Sequence, residues 1–178
     1  MQEGIIFSGF GGQGILLAGK LVCIAAMLEG KNVSHIPSYG AEMRGGTANC
    51  TVVIADDIIA SPIISTPSIC VILNKPSLVK FEPRMKKGGL LIYNASLIDE
   101  TPSRSDLKVV SVKANDLAEE AGTYRSANMV AIGCLLKLKP ELAQLETTIQ
   151  ALDKAVSARN KKLNEINVKA LRAGFDSV

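Results

Sequence analysis

Residues 9–14 read Gly-Phe-Gly-Gly-Gln-Gly, set between the apolar run Gly4-Ile5-Ile6-Phe7 and a long apolar stretch that opens Ile15-Leu16-Leu17-Ala18. A strand-length run, a glycine turn and a helical stretch in that order commit the start of the chain to a strand, a tight turn and a helix. Gly9, Gly11, Gly12 and Gly14 lack a Cβ, so the backbone can approach another group closely. The helix that follows aims its free amides and positive dipole end at the same spot. An anionic group, most often a phosphate, suits such a turn; the alternative is that the glycines serve only tight packing of strand on helix.

Gly9, Gly11 and Gly14 also satisfy the Gly-x-Gly-x-x-Gly spacing of dinucleotide sites. Such a site needs a carboxylate about 20 residues further on, at the tip of the second strand, to hold the ribose hydroxyls. The second strand candidate, Val33-Ser34-His35-Ile36-Pro37, carries no acid; Glu29 precedes Gly30, and Glu42 lies well past the strand. A close-approach, anion-friendly turn survives without the ribose clamp. A lone histidine such as His35, with no carboxylate to orient it, reads as a hydrogen-bonded structural residue.

The rest of the chain alternates short apolar strands with helical segments. Strands are expected at 5–8, 33–36, 47–55, 69–73, 90–93 and 109–112, the first of them followed by a helix over 13–28 that Gly30 closes. A short helix opened by Pro76 separates the fourth and fifth strands. Helices follow at 116–120, 128–138, 142–158 and 162–173, with Gly174 as the last stop. This pattern predicts a single three-layer α/β domain over residues 1–178. It has a mostly parallel, Rossmann-like sheet, helices on both faces and C-terminal helices that cover the sheet or an adjoining subunit. Ligands of such sheets sit at the carboxyl ends of the strands, where the glycine turn lies.

With 178 residues and 47% apolar content the chain can bury a core without disulfides. Cys23, Cys50, Cys70 and Cys134 are far apart and form no Cys-x-x-Cys pair, so buried, reduced thiols are expected and neither a cluster nor a zinc site is. The charge is uneven: three basic against five acidic residues through Asn74, and seventeen against twelve from Lys75, a difference of seven between −2 and +5. A basic surface on the second half follows. Interleaved acids and 4% aromatic content with no Trp speak against nucleic-acid binding. Lys86 and Lys87, before Gly88-Gly89, read as a solvated turn. Without a signal-type leader, and with Lys20 breaking the longest apolar stretch, the chain is expected to be cytoplasmic and not membrane-spanning.

A second glycine-rich loop follows the second strand. It places Tyr39, Glu42 and Arg44 among Gly40, Gly45 and Gly46, so one aromatic platform, one carboxylate and one guanidinium share a permissive backbone. Arg44 can fork onto a phosphate or carboxylate, or pair with Glu42 to hold the loop. Further on, Ser126-Ala127-Asn128 precedes a helix; Asn128 either caps it or offers its amide to a ligand.

Three ordered motifs, Gly9 to Gly14, Ser38 to Asn49 and Ser126 to Gly133, together resemble the gamma subunit of 2-oxoacid:ferredoxin oxidoreductases, and Asn167 to Ala170 with Ala173-Gly174 is similar to that family's end. Two departures stand out: Ala41 where the family often has Pro, and Gly122-Thr123-Tyr124-Arg125 where a Gly-Asn pair is usual. The resemblance implies a multisubunit enzyme that oxidatively decarboxylates a 2-oxoacid, joins the acyl unit to coenzyme A and passes electrons to ferredoxin. It implies alpha, beta and in some complexes delta partner subunits, with thiamine diphosphate and iron-sulfur clusters held by them. This chain is then left with assembly and a coenzyme A face. Gly9, Gly11, Gly12, Gln13, Gly14, Tyr39, Glu42, Arg44, Gly45, Gly46 and Asn128 are the candidate residues of that face, none of them catalytic and none a metal ligand. The 2-oxoacid is expected to be 2-oxoglutarate, with pyruvate, branched-chain 2-oxoacids and indolepyruvate as the alternatives. A free-standing Rossmann-type nucleotide-binding oxidoreductase is the competing reading.

Overall fold

A computed structural model describes residues 1–38 and 47–178. Six strands, β1 (Gln2–Phe10), β2 (Asn32–Ser38), β3 (Thr47–Ala55), β4 (Ile69–Ile72), β5 (Leu90–Asn94) and β6 (Lys108–Val112), form one sheet in the order β2-β3-β1-β4-β5-β6. Strand β3 runs against both of its neighbours, while β1, β4, β5 and β6 pair in parallel. Five strands therefore share one direction. Eight residues separate Ser38 from Thr47, which is too short for the crossover that a parallel neighbour requires, so β3 returns antiparallel.

Six helices are present among the described residues: α1 (Ile15–Leu28), α2 (Lys75–Phe81), α3 (Ala114–Ala121), α4 (Ala127–Leu138), α5 (Leu145–Ala155) and α6 (Asn164–Asp176). The central strands are apolar throughout because successive side chains alternate between two covered faces. Ile5, Phe7, Val71 and Ile92 point to the larger core, shared with α1, α3, α4, α5 and α6. Ile6, Cys70, Ile72 and Leu91 point to a smaller one closed by Leu78, Phe81, Met85 and Ile98. Both faces carry helices, as expected, but unequally: α2 is the one that enters the smaller core. Part of that face is covered by loop instead, with Ile64 packed so closely that a Cβ on Gly4 would lie 2.7 Å from its Cδ1.

The closing helices differ from the expectation. Helix α5 stops at Ala155, a 3-10 stretch covers Ala158–Leu163, and α6 runs through Gly174 to Asp176. Gly174 is not a stop but a contact point. Helix α6 lies along α4, and a Cβ on Gly174 would come 1.9 Å from the Val130 carbonyl oxygen, while one on Gly133 would come 2.0 Å from that of Leu171. The two glycines let the helix backbones touch, and α6 thereby forms a layer over α4.

The four cysteines are buried free thiols; burial pushes those of Cys23, Cys50 and Cys70 up to about 12. Among the described residues no helix is long and apolar enough to cross a membrane.

Candidate functional site

Gly12 and Gly14 adopt positive φ, +94° and +69°, which L side chains rarely take. Gly14 has a second constraint, because a Cβ there would lie 2.4 Å from Asn128 Nδ2. The turn closes on itself through Gln13, whose Oε1 accepts from Phe10 N at 2.6 Å and whose Nε2 donates to Leu73 O at 3.4 Å. That side chain staples the end of β1 to the residue after β4. Among the described residues no side chain caps the start of α1, so its first-turn amides and positive dipole end face the turn's surroundings.

Asn128 is not the cap of α4. The helix begins one residue earlier, and Asn128 is buried inside its first turn, donating from Nδ2 to Gly14 O at 3.1 Å and accepting from Met129 N at 3.0 Å. Its amide links two motifs that are 114 residues apart. The reason is tertiary: the Gly14 carbonyl, which already accepts from Ala18 N at 2.9 Å, lies within reach of the start of α4 and takes the Asn128 amide as a second donor.

Beside the turn lies a cleft of about 630 Å³. Gly11, Gly12 and Gln13 form one wall, Asn115, Tyr124 and Arg125 the other, with Leu97 and Ala127 completing it. Tyr124 and Arg125 belong to a 3-10 turn (Tyr124–Ser126) whose first amides are fixed by Glu119 Oε2 and Thr123 Oγ1. Asn115 is held by Asn94 Nδ2 at 2.7 Å and donates to Tyr124 O at 3.3 Å. Tyr124 is 57% exposed, and the guanidinium of Arg125 has no hydrogen bond or ion pair among the described residues. The cleft thus offers an uncapped helix start, an unpaired cation and an open aromatic face. Those are the elements that bind a diphosphate carrying a planar base. A second, apolar depression of about 280 Å³, lined by Phe10, Ile15, Leu16, Leu17 and Ala48, flanks the turn on its other side.

Of the candidate residues, the structure brings Gly9, Gly11, Gly12, Gln13, Gly14 and Asn128 together. Gln13 and Asn128 use their polar atoms within the chain. Tyr39, Glu42, Arg44, Gly45 and Gly46 lie outside the described residues. Their flanks are placed: Ser38 pairs with Asn49, and Thr47 pairs with Phe10, at the same edge as the glycine turn. Tyr124, Arg125 and Asn115 escaped the sequence reading. The available signal was an aromatic and a cation directly before Ser126-Ala127-Asn128.

His35 departs from the expected hydrogen-bonded role. It packs over α1 where Gly19 leaves room, and its buried Nε2 has no hydrogen-bond partner among the described residues. Desolvation and the nearby Lys20 charge lower its pKa. Among the described residues no group of three or more His, Cys, Asp or Glu side chains is arranged to hold a metal ion.

The sequence model of the family described as pyruvate ferredoxin/flavodoxin oxidoreductase matches residues 4–177. The chain is 37% identical over 169 residues to ketoisovalerate oxidoreductase subunit VorA of Methanothermobacter marburgensis, covering 95% of this chain and 35% of that one. It is 35% identical over 178 residues to 2-oxoglutarate synthase subunit KorC of Archaeoglobus fulgidus, covering 98% and 87%. The chain therefore spans about a third of the length of the VorA relative and most of KorC. In structure it is similar to the gamma subunit of a keto/oxoacid ferredoxin oxidoreductase from Geobacter sulfurreducens PCA. That match has a TM-score of 0.84 at 28% identity, covering 98% of this chain and 96% of that one. It also shares its fold with part of a 2-oxoglutarate:ferredoxin oxidoreductase from Magnetococcus marinus, solved with 2-oxoglutarate, coenzyme A and succinyl-CoA bound. There the TM-score is 0.87 at 22% identity, covering 99% and 31%.

Proposed function

Because the chain belongs to the pyruvate ferredoxin/flavodoxin oxidoreductase family, we propose that it is the gamma-type subunit of a 2-oxoacid:ferredoxin oxidoreductase and presents the coenzyme A face of that complex. The observation that carries the reading is the cleft between the uncapped start of α1 and the unpaired Arg125. Gly11 and Gly12 allow a phosphate to approach the turn, the first amides of α1 and the Arg125 guanidinium take its charge, and Tyr124 offers a stacking face to the adenine. Asn128 acts indirectly by pinning Gly14. Coenzyme A supplies the thiol that accepts the acyl group; this chain binds and orients it.

Neighbouring alpha and beta subunits, joined in some complexes by delta, complete the enzyme, hold thiamine diphosphate and iron-sulfur clusters, and pass electrons to ferredoxin. The KorC likeness supports 2-oxoglutarate as substrate, and the VorA likeness makes a branched-chain 2-oxoacid the second choice. Four buried thiols fit a reducing, cytoplasmic setting. The free-standing nucleotide-binding alternative is not favoured, since the relatives are named as subunits.

Calorimetry of coenzyme A binding to the assembled complex tests the reading. Arg125→Ala should weaken binding by about tenfold or more, the scale of one charge-assisted hydrogen bond, ~1.5–3 kcal/mol. Arg44→Ala and a bulky residue at Gly12 should act in the same direction. Unchanged affinity and turnover would reject the coenzyme A face. Loss of assembly, with normal binding by whatever complex remains, would instead assign the loops to subunit docking.

A further inference from the structure

We infer that the opposite, amino-terminal edge of the sheet docks an acidic segment of a neighbouring subunit. The inference rests on the reading of this chain as one subunit of a complex.

The starts of β1, β4, β5 and β6 meet there around a depression of about 240 Å³ to which Glu3, Lys86, Lys87, Lys108 and Lys139 contribute. Its one carboxylate is already spent: Glu3 accepts from Lys139 at 2.8 Å and from the Ser68 hydroxyl. Lys139 is also paired with Glu141, and Arg104 just outside is paired with Asp106. Lys86, Lys87 and Lys108 are exposed and have no hydrogen bond or ion pair from their ammonium groups among the described residues. Lys86 lies in the field of Glu3 and Lys87 in that of Asp106, but those carboxylates are ion-paired with Lys139 and Arg104. Among the described residues three positive charges thus converge with little internal compensation. They concentrate there part of the basic excess that begins at Lys75.

The occupant these groups suit is a protein, not a free phosphate. A phosphate site built on a turn uses free amides, but here Lys86 N donates to Pro67 O, Gly88 N to Asp106 O and Gly89 N to Lys86 O. What remains is ammonium groups on flexible stems, which match carboxylates by charge and not by a fixed cradle. Through Ser68 and Lys86 the depression continues into a second one, of about 350 Å³, which Ile63 also lines. Ile63 is 80% exposed, so one apolar side chain adjoins the charges. A groove that is basic at one end and at the other sets the exposed Ile63 among the hydroxyls of Ser61, Ser65 and Thr66 suits an acidic segment whose Asp or Glu residues are flanked by polar residues and one apolar anchor. Docking there leaves the glycine-turn cleft, at the far edge of the sheet, open.

The test uses the native complex isolated through a tag on the full chain and treated with a carbodiimide that joins ammonium groups to carboxylates. Lys86, Lys87 or Lys108 should become linked to Asp or Glu of a co-isolated subunit. Lys87→Glu with Lys108→Glu should cut the retained subunit about tenfold at physiological salt, and Lys87→Arg with Lys108→Arg should restore it. Circular dichroism should be unchanged, since both side chains are exposed. A complex in which these lysines link only within their own chain, or whose double Glu variant withstands salt like the native form, overturns the inference alone. A tagged chain that elutes without any subunit overturns both the inference and the subunit reading beneath it.

Discussion

Gly14 carries two constraints at once, a left-handed φ of +69° and a Cβ position 2.4 Å from Asn128 Nδ2, whereas Gly12 carries only its φ of +94° with nothing within 4 Å. The two positions should therefore separate strain from contact. Gly12→Ala should cost about 1 kcal/mol, the lower end of the left-handed penalty, and Gly14→Ala about 2–4 kcal/mol, because Asn128 must also leave the Gly14 carbonyl. Urea unfolding of both variants checks this; equal losses would mean that Asn128 moves freely. His35 gives a second prediction. Its folded pKa is lowered, first by desolvation and then by Lys20, from an ordinary 6.5. The unfolded chain then binds the proton more readily, so this contribution is complete above about pH 6.5 and declines as pH falls toward the lower folded value. In His35→Phe the drop in unfolding midpoint between about pH 7.5 and about pH 5.5 should shrink. A drop as large as the native one would place the titration elsewhere.

At the scale of elements, the glycine at the end of the chain was legible as punctuation but not as packing. Sequence pattern makes Gly174 a helix stop, because glycine so often ends helices. In the fold it sits inside α6, where its missing Cβ lets the backbone reach the Val130 carbonyl. Gly174→Ala should force the helices apart and cost about 3 kcal/mol or more. Hydrogen exchange should then show α6 opening ahead of the sheet. Exchange of α6 together with the sheet, as in the native chain, would show that the helix pair absorbs the methyl. The strands were easier to read, since the central ones are short apolar runs, and 47–55 was found residue for residue. Asn128 was half legible. Its place at the start of a helix follows from the sequence, but its bond to Gly14 spans 114 residues and no local pattern records it.

Across the whole molecule, the first strand and the end of α4 are tied by the Glu3–Lys139 pair at 2.8 Å, which joins residues 136 apart. Burial pushes the Glu3 carboxyl up, but the bonds from Lys139 and Ser68 outweigh it, and its pKa lies below the ordinary 4.5. The contribution is therefore present above that ordinary value and is lost as pH falls through the depressed one. Glu3→Gln should be less stable than the native chain at neutral pH and should lose less on acidification, as thermal unfolding across the acid range would show. Parallel pH curves would remove Glu3 from the acid limb.

The sequence by itself determined the alternation of elements and the glycine turn after β1, because these depend on residues within one turn or one strand of each other. Its three spaced motifs also carried the family resemblance. Only the tertiary structure decided that β3 runs backwards, that Gln13 and Asn128 spend their amides on the chain itself, and that Tyr124 and Arg125 stand across the cleft from Gly11. Those are relations between segments far apart in the chain, brought together when alternate faces of the strands bury their side chains against the helices, and nothing local in the sequence encodes their distances.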